Sequence, residues 1–217
     1  MALSDGQIER YSRQIIVPKV GGRAQERLLA ARMILAGEYA DIEAPLAYLA
    51  GAGVGAIELH LAGESAREEA LAARVRELNP DVRVVAPAGP GAHADLVLAL
   101  VASARALEEA AVVAAQYPRR PFVIARLGGA PRIGVFPSPP PCARCAGMLS
   151  PGGPRAEDAR MIAMLATVEA FKLLAAYAAA PQAAVIEFEH YESKSHRVEA
   201  QPRCACAAAA GESHDDR

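Results

Sequence analysis

The 217-residue sequence has no tryptophan and only 5% aromatic residues. That excludes a core organised around large rings and leaves aliphatic strands and closely packed small-residue helices to bury surface. It has no excess of one charge: 23 basic against 25 acidic side chains give a formal net charge of −2. Neither a polybasic nucleic-acid surface nor a strongly acidic tail is therefore expected. No apolar run is long and uninterrupted enough to span a bilayer, and Met1 to Asp5 lacks the basic and apolar regions of a signal peptide. The chain thus reads as cytoplasmic, with neither nucleic acid nor membrane as partner. Repeats are missing, and nothing in the middle reads as a flexible linker. One domain is expected over residues 1–206, opened by a helical arm over 1–31 and followed by a disordered tail over 207–217.

What is present alternates. Strands are predicted at Met33–Ala36, Ala56–Leu61, Val82–Ala86, Leu96–Leu100 and Phe122–Ala125, separated by helices at about Ile42–Ala50, Ala66–Leu78 and Ala104–Gln116. This order implies an α/β fold with a Rossmann-like, doubly wound, mostly parallel sheet. Arg132–Phe136, Ala184–His190 and Ser195–Glu199 read as C-terminal antiparallel strands. A long helix is expected over Arg155–Ala180, stopped by Pro181, with Met161, Met164, Leu165, Val168, Phe171 and Ala175 on a core or dimer face. The five histidines are isolated and read as surface or satisfied structural groups.

The turn after the first strand is Gly37-Glu38-Tyr39-Ala40-Asp41-Ile42. In a nucleotide-binding fold it would be glycine-rich, so that backbone amides approach phosphate and the helix packs on the strand. Tyr39 and Ile42 stand where two glycines belong, and Glu38 and Asp41 bring negative charge towards a polyanion. Asp41 is expected to N-cap a helix starting at Ile42, with Glu43 in its first turn and Pro45 tolerated there. Gly51 to Gly55 imitates a phosphate loop but lies at a helix end, and is read as a C-cap and turn.

All four cysteines fall in two close pairs, Cys142-Ala143-Arg144-Cys145 and Cys204-Ala205-Cys206. Four thiolates could close a tetrahedral, structural Zn²⁺ site tying the end of the chain to the loop after the parallel strands. Disulfides suit a reducing compartment poorly, and a redox C-x-x-C ordinarily opens a helix instead of following a proline run. The tighter C-x-C is the weaker half of the site.

Several segments together resemble the ThiF/MoeB/HesA family, the bacterial relatives of the ubiquitin-activating E1 enzymes. They are Arg10-Tyr11-Ser12-Arg13-Gln14, Gln25 to Leu28, Ala52-Gly53-Val54-Gly55, Asn79-Pro80-Asp81, Pro141-Cys142 with Cys145, and Glu169-Ala170 with Lys172 to Leu174. The resemblance covers nearly the whole chain. It implies a dimeric adenylation domain that binds ATP and Mg²⁺, activates the C-terminal glycine of a ubiquitin-like sulfur carrier, and carries zinc on two cysteine pairs. Arg13 corresponds to an arginine that reaches across the dimer to the other subunit's ATP, although it can equally pair with a carboxylate of its own domain. Arg67 falls near the family's phosphate-binding lysine.

The departures from that pattern gather at the chemistry. The glycine loop is lost, the segment that would contribute an arginine after the second strand is deleted, and Leu100-Val101-Ala102-Ser103 offers no Mg²⁺-binding carboxylate. Together these remove most of the cationic stabilisation that adenylation needs. The expected role is a degenerate E1-like subunit without ATP-Mg²⁺, pairing as a homo- or heterodimer with an E1-like chain or serving a ubiquitin-like or sulfur-carrier protein. Two alternatives stand beside it. One is an active adenylyltransferase with an atypical site using Arg67 and a relocated carboxylate such as Glu58 or Glu64. The other is a zinc-stabilised homodimeric peptide-binding module.

Overall fold

The structure is a computed structural model and describes residues 2–63, 65–87, 89, 93–150, 152–177, 181–189 and 192–206. The expected tail over 207–217, His190, His214 and Glu64 lie outside the described residues. Two helices, α1 (Asp5–Ile15) and α2 (Gly21–Ala30), precede the sheet. There follow β1 (Arg32–Gly37), α3 (Tyr39–Ala52), β2 (Ala56–Leu61), a 3-10 turn (Ser65–Arg67), α4 (Glu68–Leu78), β3 (Arg83–Val85), β4 (Leu96–Val101), α5 (Ala104–Gln116) and β5 (Phe122–Arg126). The chain continues with β6 (Arg132–Phe136), α6 (Ala159–Leu174), β7 (Ala184–Glu189) and β8 (Glu192–Arg197). Eight strands form one sheet in the order β3-β2-β1-β4-β5-β6-β7-β8. The pairs among β1 to β5 are parallel, and β6, β7 and β8 extend the sheet antiparallel.

Both faces of the parallel strands are covered, so these strands are apolar on both sides. Alternation sends Met33, Leu35, Leu96, Leu98 and Leu100 into one core with residues of α3 and α6. Ile34, Ala36, Val97, Ala99 and Val101 enter a second core with Ala110 and Val113 of α5. The sheet reverses its winding between β1 and β4, which opens a crevice at the carboxyl ends of these strands, the place where such folds take ligands.

The N-terminal arm is locked by two of the motifs that carried the resemblance. Tyr11 is buried; its hydroxyl donates to Asp81 Oδ2 (3.1 Å) and accepts from Asn79 Nδ2 (2.9 Å), while Arg10 Nε lies 3.2 Å from the same carboxylate oxygen. Burial, with help from Asp81, pushes the Tyr11 phenol up to about 12, so it stays a neutral donor. Asn79 also donates to the Ala50 carbonyl, near the C-terminus of α3. Gly53 caps α3 in the left-handed conformation (φ 86°), as expected of the Gly51–Gly55 segment.

Three expectations need correction. The long helix runs only over Ala159–Leu174, capped by Ala175 and followed by Ala176 at φ 50°, so it ends before Pro181. Its buried face is Ala159, Ile162, Ala163, Ala166, Thr167 and Ala170. Met161, Leu165 and Val168 are exposed, because the small alanines let α6 lie close against the sheet and α3, where larger side chains would hold it away. The last strand is shifted to Glu192–Arg197, and all of its residues are exposed.

Candidate functional site

The crevice is built on Gly37. Its φ is +155°, and an added Cβ would lie 2.9 Å from the Leu100 carbonyl oxygen and 3.0 Å from Ile42 Cγ2. Only glycine lets β1 pass this closely, and the space gained is taken by Ile42, which is fully buried. Helix α3 begins at Tyr39, three residues earlier than expected, with Glu38 at the N-cap and no side-chain cap. The predicted capping role of Asp41 is therefore wrong. Asp41 occupies the first turn, is 3% exposed, and ion-pairs with Arg155 Nη2. Neither of its carboxylate oxygens has any other polar partner among the described residues. The hydrogen bond that Arg155 donates to Asp41 holds the Arg155 guanidinium above its ordinary pKa, despite partial desolvation.

The other groups around the turn are occupied as well. Glu38 Oε1 accepts from the Ser103 hydroxyl at 2.6 Å, and that hydroxyl also caps α5 by accepting from the Ala106 amide. Ser103 closes the Leu100–Ser103 stretch in which the resemblance would place a Mg²⁺-binding aspartate. The Arg67 guanidinium stacks on the Tyr39 ring, 4.6 Å from its centroid, and the Tyr39 hydroxyl donates to Glu43 (3.4 Å). Arg105 covers the turn after β2: a Cβ on Gly63 would come within 2.1 Å of its Nη1. The helix N-terminus that could face a phosphate presents two carboxylates, an isoleucine and a phenol.

Glu58 does not serve the crevice. It is 1% exposed, sits mid-strand, and pairs with Arg32 (2.6 Å) and His60 (3.0 Å), while His60 also meets Glu109 (3.0 Å). His60 is thus a satisfied structural histidine. Arg13 is exposed on the last turn of α1, with no ion pair or hydrogen bond to its side chain among the described residues.

The four cysteines come together. Their sulfurs all lie within 4.8 Å of one another, with Cys142–Cys204 at 3.6 Å, Cys145–Cys206 at 3.5 Å and Cys142–Cys145 at 3.9 Å. A tetrahedral ion with metal–sulfur bonds of about 2.3 Å needs sulfurs about 3.8 Å apart, far beyond a disulfide, so the donor set can hold a metal ion and is consistent with zinc. Burial raises the Cys142 and Cys206 thiols. Burial would raise Cys145 too, but hydrogen bonds from the backbone at Cys142 and Gln201 bring it to about 7. The raised Cys142 and Cys206 thiols would therefore give up their protons readily only to a cation.

Sequence reasoning identified the cysteines and the altered turn, but missed Arg155, Ser103 and Arg105. No local pattern marks them, since each meets its partner only through the fold.

No family model matches the chain. The pig adenylyltransferase and sulfurtransferase MOCS3 is 29% identical over 255 residues, covering 97% of this chain and 55% of the pig protein. The SAMP-activating enzyme E1 of Haloferax volcanii is 36% identical over 105 residues, 39% of this chain and 38% of its own length. These matches support an E1-like, ThiF/MoeB-type relationship for the chain. Its fold is shared by E. coli MccB (TM-score 0.64, 14% identity, 91% of this chain and 74% of MccB) and by PaaA (TM-score 0.61, 15% identity, 91% and 75%). The chain spans little more than half the length of the pig relative. Among its described residues no helix is long and apolar enough to cross a membrane.

Proposed function

We propose that this E1-like chain has given up ATP binding and adenylation, and acts as a zinc-stabilised, non-catalytic subunit or scaffold. Its partner would be an active E1-like enzyme or a ubiquitin-like or sulfur-carrier protein. The observation that carries the reading is the crevice itself: Asp41 occupies Arg155, Glu38 occupies Ser103, Tyr39 occupies Arg67, and Ile42 fills the space on Gly37. A nucleotide would have to break these contacts and place its phosphates beside two carboxylates, with no backbone cradle to compensate. Calorimetric titration with ATP-Mg²⁺ should give no heat of binding, and the chain alone should show no ATP–pyrophosphate exchange with a candidate carrier. Saturable binding or exchange would overturn the reading.

A second reading is favoured by the relatives. The pig protein is named an adenylyltransferase, and E. coli MccB has been solved with ATP. An active enzyme would then have to use Arg67, Arg105 and Arg155 on the phosphates after a rearrangement of the turn. The exchange assay separates the two.

Arg13 supports a role in trans. Tyr11 anchors α1 beside Gly53 and Asn79, at the C-terminal end of α3. Gly37 lies at the other end of this 14-residue helix, about 21 Å away at ~1.5 Å per residue. An arginine two residues from that anchor is out of reach of its own crevice and free to serve a neighbour's. In a reconstituted complex with an active E1-like partner, Arg13→Ala should lower the partner's exchange rate by roughly a hundredfold or more while leaving this chain's melting temperature unchanged. An unchanged rate would remove the trans role.

A further inference from the structure

Helix α6 buries its alanine face and leaves Met161, Leu165 and Val168 in water. Single exposed apolar side chains are ordinary, but a continuous row of them marks a contact surface. Six of the ten large hydrophobic side chains exposed among the described residues fall on one strip. It runs through Met161, Leu165 and Val168 along α6, then Tyr177 just beyond its end, then Ile16 and Val17 in the turn between α1 and α2. The arm is fastened to that end of α6: Lys19 Nζ lies 6.0 Å from the Tyr177 ring centroid, and Arg27 Nη2 donates to the Ala175 carbonyl (3.1 Å).

The row has the spacing of a coiled-coil seam. Asp158, Met161, Leu165, Val168 and Lys172 follow one another at intervals of three, four, three and four residues, so all five lie along one line of the helix. The line is symmetric about Leu165. Asp158 stands seven residues before it and Lys172 seven after, while Met161 stands four before and Val168 three after. Two copies running parallel would set Asp158 against Asp158 and Lys172 against Lys172. Antiparallel copies, related by a two-fold axis through Leu165, set each Asp158 against the Lys172 of the other copy, Met161 against Val168, and Leu165 against itself. Neither charge is committed to the core: the Asp158 side chain makes no cap hydrogen bond, and Lys172 pairs with Glu169 on its own helix (2.8 Å). The Asp158–Lys172 span is about 21 Å long at ~1.5 Å per residue, and a two-fold contact buries it once on each copy.

We infer that α6 is a self-association surface through which two copies of this chain pair antiparallel about Leu165. The three apolar side chains supply the affinity, and the charges at the two ends fix the direction. The seam uses no side chain of the crevice or of the cysteine cluster, so it is independent of whether the crevice accepts nucleotide.

Sedimentation equilibrium of the full, zinc-loaded chain should give twice the chain mass. Leu165→Glu, which puts two carboxylates on the axis, should weaken the dimer by about a hundredfold or more. Lys172→Glu alone should weaken it by about tenfold or more, because the axis turns two attractions into two repulsions at once. Adding Asp158→Lys to Lys172→Glu should restore the wild-type constant, a recovery that parallel pairing does not produce. Far-ultraviolet circular dichroism would check that each variant keeps its fold. A chain that stays monomeric up to about 100 μM overturns the inference, whether its strip serves a different protein or nothing. A dimer left intact by Leu165→Glu overturns it as well, since that dimer must use another surface. So does a charge-swapped double variant that pairs no more tightly than Lys172→Glu alone.

Discussion

Replacing Cys145 by serine is expected to cost the chain its metal and to lower its melting temperature by roughly 10 °C or more, the largest single effect anticipated for any side chain here. Cys145 is the best buried of the four cysteines, 8% exposed. It also receives the Gln201 amide on its sulfur (3.4 Å), and its carbonyl accepts from the Gln201 side chain (2.9 Å). The C-terminal segment is therefore joined to the loop after β6 chiefly through this residue. Metal binding to thiolates contributes about 10 kcal/mol or more in small structural sites, and in a domain with its own core a fraction of that, about 3–5 kcal/mol, is a fair expectation. The domain is large enough that each kcal/mol moves the midpoint by about 2–4 °C. Elemental analysis should find one zinc per wild-type chain and well under one per variant. Wild type stripped with a strong chelator should melt like the variant. A metal-free wild type that melts no lower than the loaded protein would refute the structural role.

The second large effect concerns Arg155. Changing it to methionine removes the only polar partner, among the described residues, of a carboxylate that is almost fully buried, and should destabilise the chain by about 3 kcal/mol, measured by urea unfolding. The reverse change, Asp41→Leu, should cost clearly less. Arg155 keeps 38% of its side chain exposed and can return to water, whereas Asp41 cannot. Combining the two substitutions should recover much of the loss, because the buried charge is then gone. If Arg155→Met costs under about 1 kcal/mol, the pair is incidental and the crevice is not held shut by it.

The two pairs of interactions also show what a sequence can and cannot disclose. The cysteines were legible because metal ligation needs paired donors at short spacing, and that chemistry is written locally. The parallel strands were legible because both faces of β4, and of β1 beyond Arg32, are apolar. The turn at Gly37 could be read as unfit for phosphate, but its replacement contacts could not, since Arg155 and Ser103 reach Glu38 and Asp41 from distant loops. Asp41 was misplaced for a related reason: an acidic residue before Ile42 suits a cap, and only Ile42 packing on Gly37 starts the helix earlier. Helix α6 offered two competing faces, one of methionine, leucine and valine and one of alanine. Choosing between them required knowing how near the sheet lies.

The placement of the cysteine pairs carries a consequence for biogenesis. Between Cys145 and Cys204 lie α6, β7 and β8. A chain leaving the ribosome presents the first pair while these elements are still unmade, so an ion captured early holds half its ligands and waits. Closing the site is a late step, dependent on the widest loop in the second half of the fold and slowed by its entropy. Scarcity of the metal is therefore expected to act first on newly made chains, which would linger with an unsecured sheet edge open to proteolysis, while molecules already closed persist.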